Sequence, residues 1–416
     1  MERIKIVVLG GSGVATPELA SALAEVPGRT RPIDLVLVGR SRDKLEIVAG
    51  IARLMTDNDP LIQVSAETDA VTALSGAEIV LNQIRVGGLE ARAFDESFPH
   101  EIGLPGEETV GPGGFANASR TIPVVLQYAR LIEKVCPEAT LLTFANPSSL
   151  VQYALTHYTN VHTVGLCDGP ITLIQNIAAA IQARPEELVV DYVGMHHFGW
   201  VTGVWQDGLD VLPRVLANAE KAAPDVDAEL TRALGVIPGL YFNYVFQPER
   251  MLAKKLGKRT RAEELLDLQD DLMTEFVACL ARREKPAGLA KRKARWYRAI
   301  IAPIMLALAE GRSEQLIVNL MNGGIIPWLP ADAIVEVPTL IQLKRFRPLA
   351  VGAVPAEVKA LILQNCTYEM LAVEAIVEHS REKAIRALLL NPMIHSYEQA
   401  ARTLEKAWNW GNEKKG

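Results

Sequence analysis

Up to about residue 168, short apolar runs alternate with longer stretches whose apolar positions recur at helical spacing. Ile4–Leu9 is one such run, rich in Ile and Val, and it ends at Gly10-Gly11-Ser12-Gly13. Thr16-Pro17-Glu18 then opens a helix, with Thr16 expected at the N-cap and Pro17 in the first turn. Residues 34–38 read as a second strand, 78–84 as a third, and 139–144 and 162–166 as further buried strands, with helical stretches between them. Strands that are apolar throughout, each followed by a helix, predict an α/β fold with a parallel sheet covered on both faces. The pattern then changes. Residues 188–205 are strand-like, and most of the chain from there to the C-terminus reads as amphipathic helix, as at 263–282 and 367–389.

Composition narrows the picture. The chain has 416 residues, 49% hydrophobic and 22% charged, with a net charge of −6 and both signs mixed along most of its length. That balance suits a globular enzyme and argues against a nucleic-acid partner, which favours a basic surplus. No apolar run reaches the ~20 residues of a bilayer span, so no membrane partner is expected. The N-terminus enters a strand pattern without the features of a secretory leader, which predicts a cytoplasmic protein. Cys136, Cys167, Cys279 and Cys366 are widely spaced and contain no C-x-x-C pair, so free thiols are expected. Residues 254–261 and 282–298 are locally basic, as solvated helix ends and loops often are.

The glycine-rich turn is the first chemical signal. A turn of this kind between a strand and a helix lets backbone N–H groups approach a pyrophosphate at the positive end of the helix. Gly10, Gly11 and Gly13 stand in that context, and Ser12 and Ala15 are small enough to keep the approach close. The turn predicts a Rossmann-type dinucleotide-binding domain over residues 1–167, and the change of pattern a C-terminal, mixed and mostly helical α/β domain over 168–416, left to carry the rest of the site. Asn82, within the third expected strand, is another candidate cofactor contact. A carboxylate at the tip of the second strand would hold the ribose 2′-OH of NAD, but the stretch here is Val38-Gly39-Arg40-Ser41-Arg42. Arg40 and Ser41 could instead meet the 2′-phosphate of NADP, and the choice stays open.

Gly10-Gly11-Ser12, followed by Thr16-Pro17-Glu18-Leu19, begins an ordered set of motifs. Ile84-Arg85-Val86-Gly87-Gly88-Leu89-Glu90-Ala91-Arg92 and Glu108-Thr109-Val110-Gly111-Pro112-Gly113-Gly114 come next. Asn146-Pro147, Gly165-Leu166-Cys167-Asp168 and Gly194-Met195-His196-His197 follow, then Ile237-Pro238 with Tyr241. Thr260-Arg261-Ala262-Glu263, Asn322-Gly323-Gly324-Ile325 and Val335-Glu336-Val337-Pro338 complete the set. In this order they resemble glycoside hydrolase family 4, the NAD- and metal-dependent glycosidases, whose domain plan is like that of lactate and malate dehydrogenases. A related NAD-dependent family acting on sulfoquinovosides shares the plan. The family is an exception to the two-carboxylate rule of glycoside hydrolysis.

The resemblance implies a chemistry. The nicotinamide takes a hydride from the sugar C3, the C2 proton becomes acidic and is removed, and the C1–O bond breaks by elimination. Water then adds and the ketone is reduced again. Cys167 and His197 match the family's ligands for a divalent metal, manganese foremost, that stabilises the enolate. A thiolate and an imidazole suit a borderline-soft ion. Tyr241 matches the proposed base, a phenol whose pKa needs a nearby cation such as the metal or Arg261. Asp168 matches an acid that protonates the leaving oxygen in the α-cleaving branch, while a helix N-cap role fits it equally. His196 stands where the family commonly has Asn, and it could bind substrate or join as a ligand.

Arg85, Arg92, Asn146, Arg261 and Arg295 are candidate substrate contacts, the arginines gripping an anionic group such as a 6-phosphate. Lys293-Ala294-Arg295-Trp296-Tyr297-Arg298 replaces a small glycine-rich segment of the family, which points to a sulfonated or uronic sugar as well as a phosphorylated one. The expected partner is a small anionic glycoside, handled by a homodimer or homotetramer. Two other readings stand beside this one. A 2-hydroxyacid dehydrogenase shares the fold but needs no Cys167, and a dinucleotide-binding sensor would turn nothing over.

Overall fold

The structure, a computed structural model, describes residues 3–57 and 59–413. Six strands form a parallel half-sheet: β1 (Ile4–Leu9), β2 (Ile33–Val38), β3 (Ile62–Glu67), β4 (Ile79–Asn82), β5 (Thr140–Thr143) and β6 (His162–Gly165). Their spatial order is β3-β2-β1-β4-β5-β6, which reverses direction between β1 and β4. Ligands of open α/β sheets bind outside the strand carboxyl ends at such a reversal.

Both faces of this half are covered, which is why its strands, apart from β3 at the edge, carry no regular polar alternation. Ile4, Ile6 and Val8 of β1 face one core, with the helices Thr16–Glu25, Arg42–Met55, Arg261–Arg282 and Ala302–Glu310. Val7 and Leu9 face the other, with Gly111–Val135, Ser148–Tyr158, Ala356–Glu378, Arg381–Leu390 and Tyr397–Glu413. By length and composition the Ala356–Glu378 helix could cross a membrane. Here it is a core helix that buries Glu369 and Asn365 among its apolar residues.

The remaining strands are β7 (Leu188–Met195), β8 (Phe198–Gln206), β9 (Leu209–Asp210), β10 (Ile237–Pro238), β11 (Ser313–Met321), β12 (Ile334–Gln342) and β13 (Arg345–Pro348). They extend the same sheet as β6-β11-β12-β7-β8-β10, antiparallel at every step. The seam between the halves is one bridge, Gly165 of β6 against Asn319 of β11. The sheet is therefore continuous across residue 167, and Arg261–Arg282 packs on Arg42–Met55 from the first half.

Four details differ from the sequence pattern. Ala15, not Thr16, takes the N-cap position of the first helix, and the Thr16 hydroxyl is buried and accepts from Gln83 Nε2 at 3.0 Å. β3 was not expected, because this strand is largely polar and only its first residue is buried. Residues 367–389 are not one helix: the chain turns at His379, with φ +53°, and restarts at the Ser380 cap. β11, β12 and β13 stand where mostly helix was expected.

Candidate active site

The glycine-rich turn leaves β1 at the reversal point. Gly10 has φ +86°, and a Cβ there would lie 2.9 Å from the Gln83 carbonyl oxygen. A Cβ on Gly11 would lie 2.8 Å from the Val38 nitrogen, and Gly11 N–H donates to Val38 O at 2.8 Å. Glycine is thus required for the turn to tuck between β2 and β4. Ser12 and Gly13 lie at its outer face. Arg40 and Ser41 are exposed at the tip of β2, and neither makes an ion pair or side-chain hydrogen bond among the described residues. Asn82 ends β4 beside Leu9 and is buried, its amide donating to Thr143 Oγ1 at 3.0 Å and its oxygen accepting from Ile84 N–H at 3.3 Å.

The second group of residues converges from three separate elements. Cys167 follows β6 and precedes the Gly169–Ala180 helix, whose Gly169 N–H points at its sulfur at 3.3 Å. His196 and His197 form the two-residue connection between β7 and β8. Tight hairpins demand positive φ, and His197 supplies it at +59°. Tyr241 comes from the far edge, where β10 pairs with β8 just before the Phe242–Phe246 helix.

These residues meet closely. One donor atom each from Cys167, His196 and His197 lies within 4.8 Å of the others. A Cβ at Gly169 would sit 3.3 Å from the Cys167 sulfur and 4.0 Å from His197 Cδ2, so that glycine leaves the space between them clear. His197 Nδ1 is 2.9 Å from Thr109 Oγ1, which orients the ring and leaves Nε2 to bind. Burial pushes His197 down to about 3, so its imidazole is neutral and keeps a lone pair. Burial raises Cys167 well above the ordinary thiol range, and Glu336 and Asp168 add to this. The sulfur becomes a thiolate only when a cation takes the place of its proton. The donor set fits a divalent metal.

His197 is also the centre of a stack of three rings, with His196 at 3.8 Å on one side and Tyr241 at 3.9 Å on the other. Burial raises the Tyr241 phenol well above 10, and the charges that act on it, Glu107, Cys167, Glu108 and Asp168, all raise it further. Arg261 does not supply the expected counter-charge: it is exposed at the start of its helix and paired with Glu264 at 2.7 Å. Tyr244, its natural comparison, donates to Glu107 Oε2 at 3.2 Å below the Lys255 ammonium. Asp168 occupies the N-cap position, yet its carboxylate accepts no capping bond. Burial raises its pKa.

The arginines form a third group. Arg85 and Arg92 both grip the buried Glu108, with Nη2 to Oε1 at 3.2 Å and Nη1 to Oε1 at 2.9 Å respectively. Burial alone would raise Glu108, but Arg85 and Arg92 take it below the ordinary carboxylate range. Arg92 also pairs with Glu96 at 2.6 Å. Arg292 lies close to them: burial, then the charges of Arg92, Arg85 and Arg261, lower its pKa. It stacks over Trp296 at 4.9 Å and makes no ion pair with a carboxylate among the described residues. Arg295 is exposed and makes no such contact, so Arg292 and not Arg295 faces the arginine group. Asn146, half-buried and joined to Pro147 by a cis peptide bond, leads into the Ser148–Tyr158 helix.

With this geometry in place, comparison with known proteins decides the family. A model described as family 4 glycosyl hydrolase matches residues 5–183, and one for the family's C-terminal domain matches 192–394. The chain belongs to glycosyl hydrolase family 4. It is therefore a hydrolase and not a 2-hydroxyacid dehydrogenase or a sensor.

Within family 4, the chain is 32% identical to a probable 6-phospho-β-glucosidase of Bacillus subtilis, across 97% of this chain and 95% of that one. The 6-phospho-β-glucosidase of Thermotoga maritima, solved with manganese, NAD+ and glucose-6-phosphate, superposes with a TM-score of 0.88 at 28% identity, covering 99% of each chain. A lactate dehydrogenase from Eimeria maxima matches with a TM-score of 0.53 at 15% identity, over 95% of this chain and 98% of that one, which shows the shared fold alone. The segment departing from the family at 293–298 has structural duties: Trp296 stacks on Phe144, Tyr297 donates to Gln83 Oε1 at 2.8 Å, and Arg298 pairs with Glu18 and Glu25.

The site includes residues that sequence reasoning did not select. Arg292 hides among similar cations, and its signal was the i,i+4 spacing to Trp296. Thr109 and Glu108 lie in one of the ordered motifs, but nothing local says that one orients His197 and the other holds two arginines. Glu336 is a lone acid in the apolar stretch of β12. It accepts from Tyr192 at 2.5 Å and Asn319 at 3.0 Å, and burial pushes it up to about 7.

Proposed function

We propose that this protein hydrolyses a small 6-phospho- or 6-sulfo-glycoside with bound NAD and a divalent metal. The observation that carries this reading is the convergence of Cys167, His197 and Tyr241 from three distant segments, beside an arginine group in which Arg292 makes no ion pair among the described residues. Cys167 and His197 would hold the metal, with manganese as the expected ion and Thr109 orienting the imidazole. The dinucleotide supplies transient oxidation of the sugar at C3, and the metal a Lewis acid beside the acidified C2–H. Tyr241 takes the C2 proton. Its phenol is raised by burial and by anionic neighbours, so it acts as a base only when a cation lies beside it. Arg292, flanked by Arg85 and Arg92, meets the anionic group by charge-assisted hydrogen bonds. Asn146 and Arg261 remain substrate candidates, and His196 either meets the substrate or joins the metal ligands.

We read the linkage as α on account of Asp168. Its carboxyl is not spent on capping, and burial favours the protonated form that can give a proton to a leaving oxygen. The names of the β-acting relatives favour the opposite anomer. The two p-nitrophenyl 6-phosphoglucosides separate these readings: hydrolysis of the α anomer alone supports Asp168 as the acid.

We take residues 1–167 as the dinucleotide-binding portion, with Gly10 to Gly13 around the pyrophosphate, Asn82 near the nicotinamide end and Arg40 near the adenosine ribose. The remainder carries metal and substrate. A cytoplasmic homodimer or homotetramer is the expected form, checked by analytical ultracentrifugation. The test of the chemistry is turnover in D2O with NAD and metal added. Deuterium at C2 of the released sugar is expected, and hydrolysis without it overturns the elimination route.

A further inference from the structure

We propose that His196 is a third protein ligand of the ion held by Cys167 and His197, forming a Cys–His–His set that favours later divalent ions such as Co2+ and Zn2+ over Mn2+. This rests on the function proposed for Cys167 and His197, and it concerns the ion these donors bind most tightly, which is separate from manganese as the ion expected in turnover. Neighbouring residues of an extended strand point to opposite faces. The positive φ of His197 breaks that alternation at the hairpin tip, so the two rings lie on one side, 3.8 Å apart and nearly parallel.

Their donor atoms and the Cys167 sulfur all fall within 4.8 Å of one another. Around a tetrahedral ion with Zn–N near 2.0–2.1 Å and Zn–S near 2.3 Å, donors stand about 3.3–3.7 Å apart. Closing the set takes inward movement of roughly 1 Å together with rotation of the His196 ring out of its stack on His197, because an imidazole lone pair lies in the ring plane. The residue is buried at 4% exposure and its ring lines a cavity with Thr109, His197 and Tyr241; its nitrogens make no hydrogen bond among the described residues, whereas His197 is anchored on Thr109. An imidazole whose nitrogens are spent on no protein partner, on a cavity wall beside a thiol, is available to a ligand.

The donor chemistry sets the preference. Affinity of nitrogen and sulfur sites rises from Mn2+ toward the later ions, and each added imidazole steepens that rise relative to oxygen donors. Three protein donors still leave one or more positions for sugar oxygens.

The test uses metal-free full-length protein dialysed against equimolar Mn2+, Co2+ and Zn2+, with bound metal counted by mass spectrometry and the Co2+ form examined by absorption. Wild type is expected to retain Zn2+ and Co2+ over Mn2+ and to show a thiolate-to-cobalt band with intense, low-coordination d–d bands. His196→Asn, which keeps a polar group of similar reach, is expected to keep the thiolate band while its d–d bands weaken. Its Co2+ affinity should fall at least about tenfold, the loss caused by removing even an outer-shell partner. His196→Gln serves as a second variant should the first fold poorly. Unchanged Co2+ spectrum and affinity in the variants, or a wild-type preference for Mn2+, overturns the proposal. Absence of any thiolate band in wild type overturns the Cys167 assignment as well.

Discussion

β1 and β8 belong to one sheet, yet what each delivers to the site differs in kind. The parallel side ends in a turn whose function lies in the backbone: Gly10 and Gly11 matter because they lack a Cβ, and the N–H groups of a turn are common to every residue. The antiparallel side ends in a hairpin and a short strand whose function lies in side chains: His197 from the β7–β8 connection and Tyr241 just beyond β10, both against Cys167. A backbone device is local in sequence and can be read there. A side-chain device made from residues 167, 197 and 241 exists only after the sheet has formed.

The comparison is broken most severely at the seam. Cys167→Ser removes a donor the hairpin cannot replace, and turnover should fall on the order of a thousandfold or more while dinucleotide affinity stays unchanged, since loss of even an outer-shell partner costs up to about a hundredfold. Fluorescence titration with NAD alongside kcat measurement checks both. A parallel loss of NAD binding would join what the comparison separates. Tyr241→Phe keeps the ring stack on His197 and deletes the phenol. A drop in kcat of about 10²–10⁴-fold with KM little altered is expected, as for loss of a general base, together with loss of C2 exchange. Retained exchange would move the base elsewhere.

Arg292→Ala sharpens the picture on the substrate side. One charge-assisted hydrogen bond is worth about 1.5–3 kcal/mol, so kcat/KM for a 6-phosphoglucoside should fall roughly ten- to a hundredfold. The same measurement on Arg295→Ala should move little. Equal effects of the two would undo the distinction drawn from burial. The smallest effect on turnover is expected from Gly11→Ala. Its added methyl meets the Leu37–Val38 backbone at 2.8 Å, an overpacking cost of about 1–3 kcal/mol. Thermal melting with and without NAD should show lower stability and weaker protection by the dinucleotide, with metal uptake unaltered.

Legibility in the sequence divides the same way. β1, its turn and the strands at 79–82 and 140–143 were legible because their buried runs are mostly apolar, and the strand at 162–165 through the apolar Val161 and Val164-Gly165-Leu166 around it. β3 was hidden by Gln63, Ser65 and Glu67 at the sheet edge, and β11 by its half-exposed start. β12 was visible only as a motif, because an acid and a proline interrupt it. Cys167, His197 and Tyr241 were found through their ordered motifs, not through any local pattern. Arg292 could not be told from Arg295, since their difference is three-dimensional: one is drawn under Trp296 toward other guanidinium groups, the other faces water.

The bridge between Gly165 and Asn319 has a practical consequence for anyone dividing this protein. A fragment stopped near residue 183 would keep its cofactor turn but lose β11, leaving the unpaired N–H and C=O groups of β6 open along one side. Bare strand edges recruit other strands, so such a fragment should come out of solution as aggregate, and its two pieces should be expressed together if they are to be obtained at all.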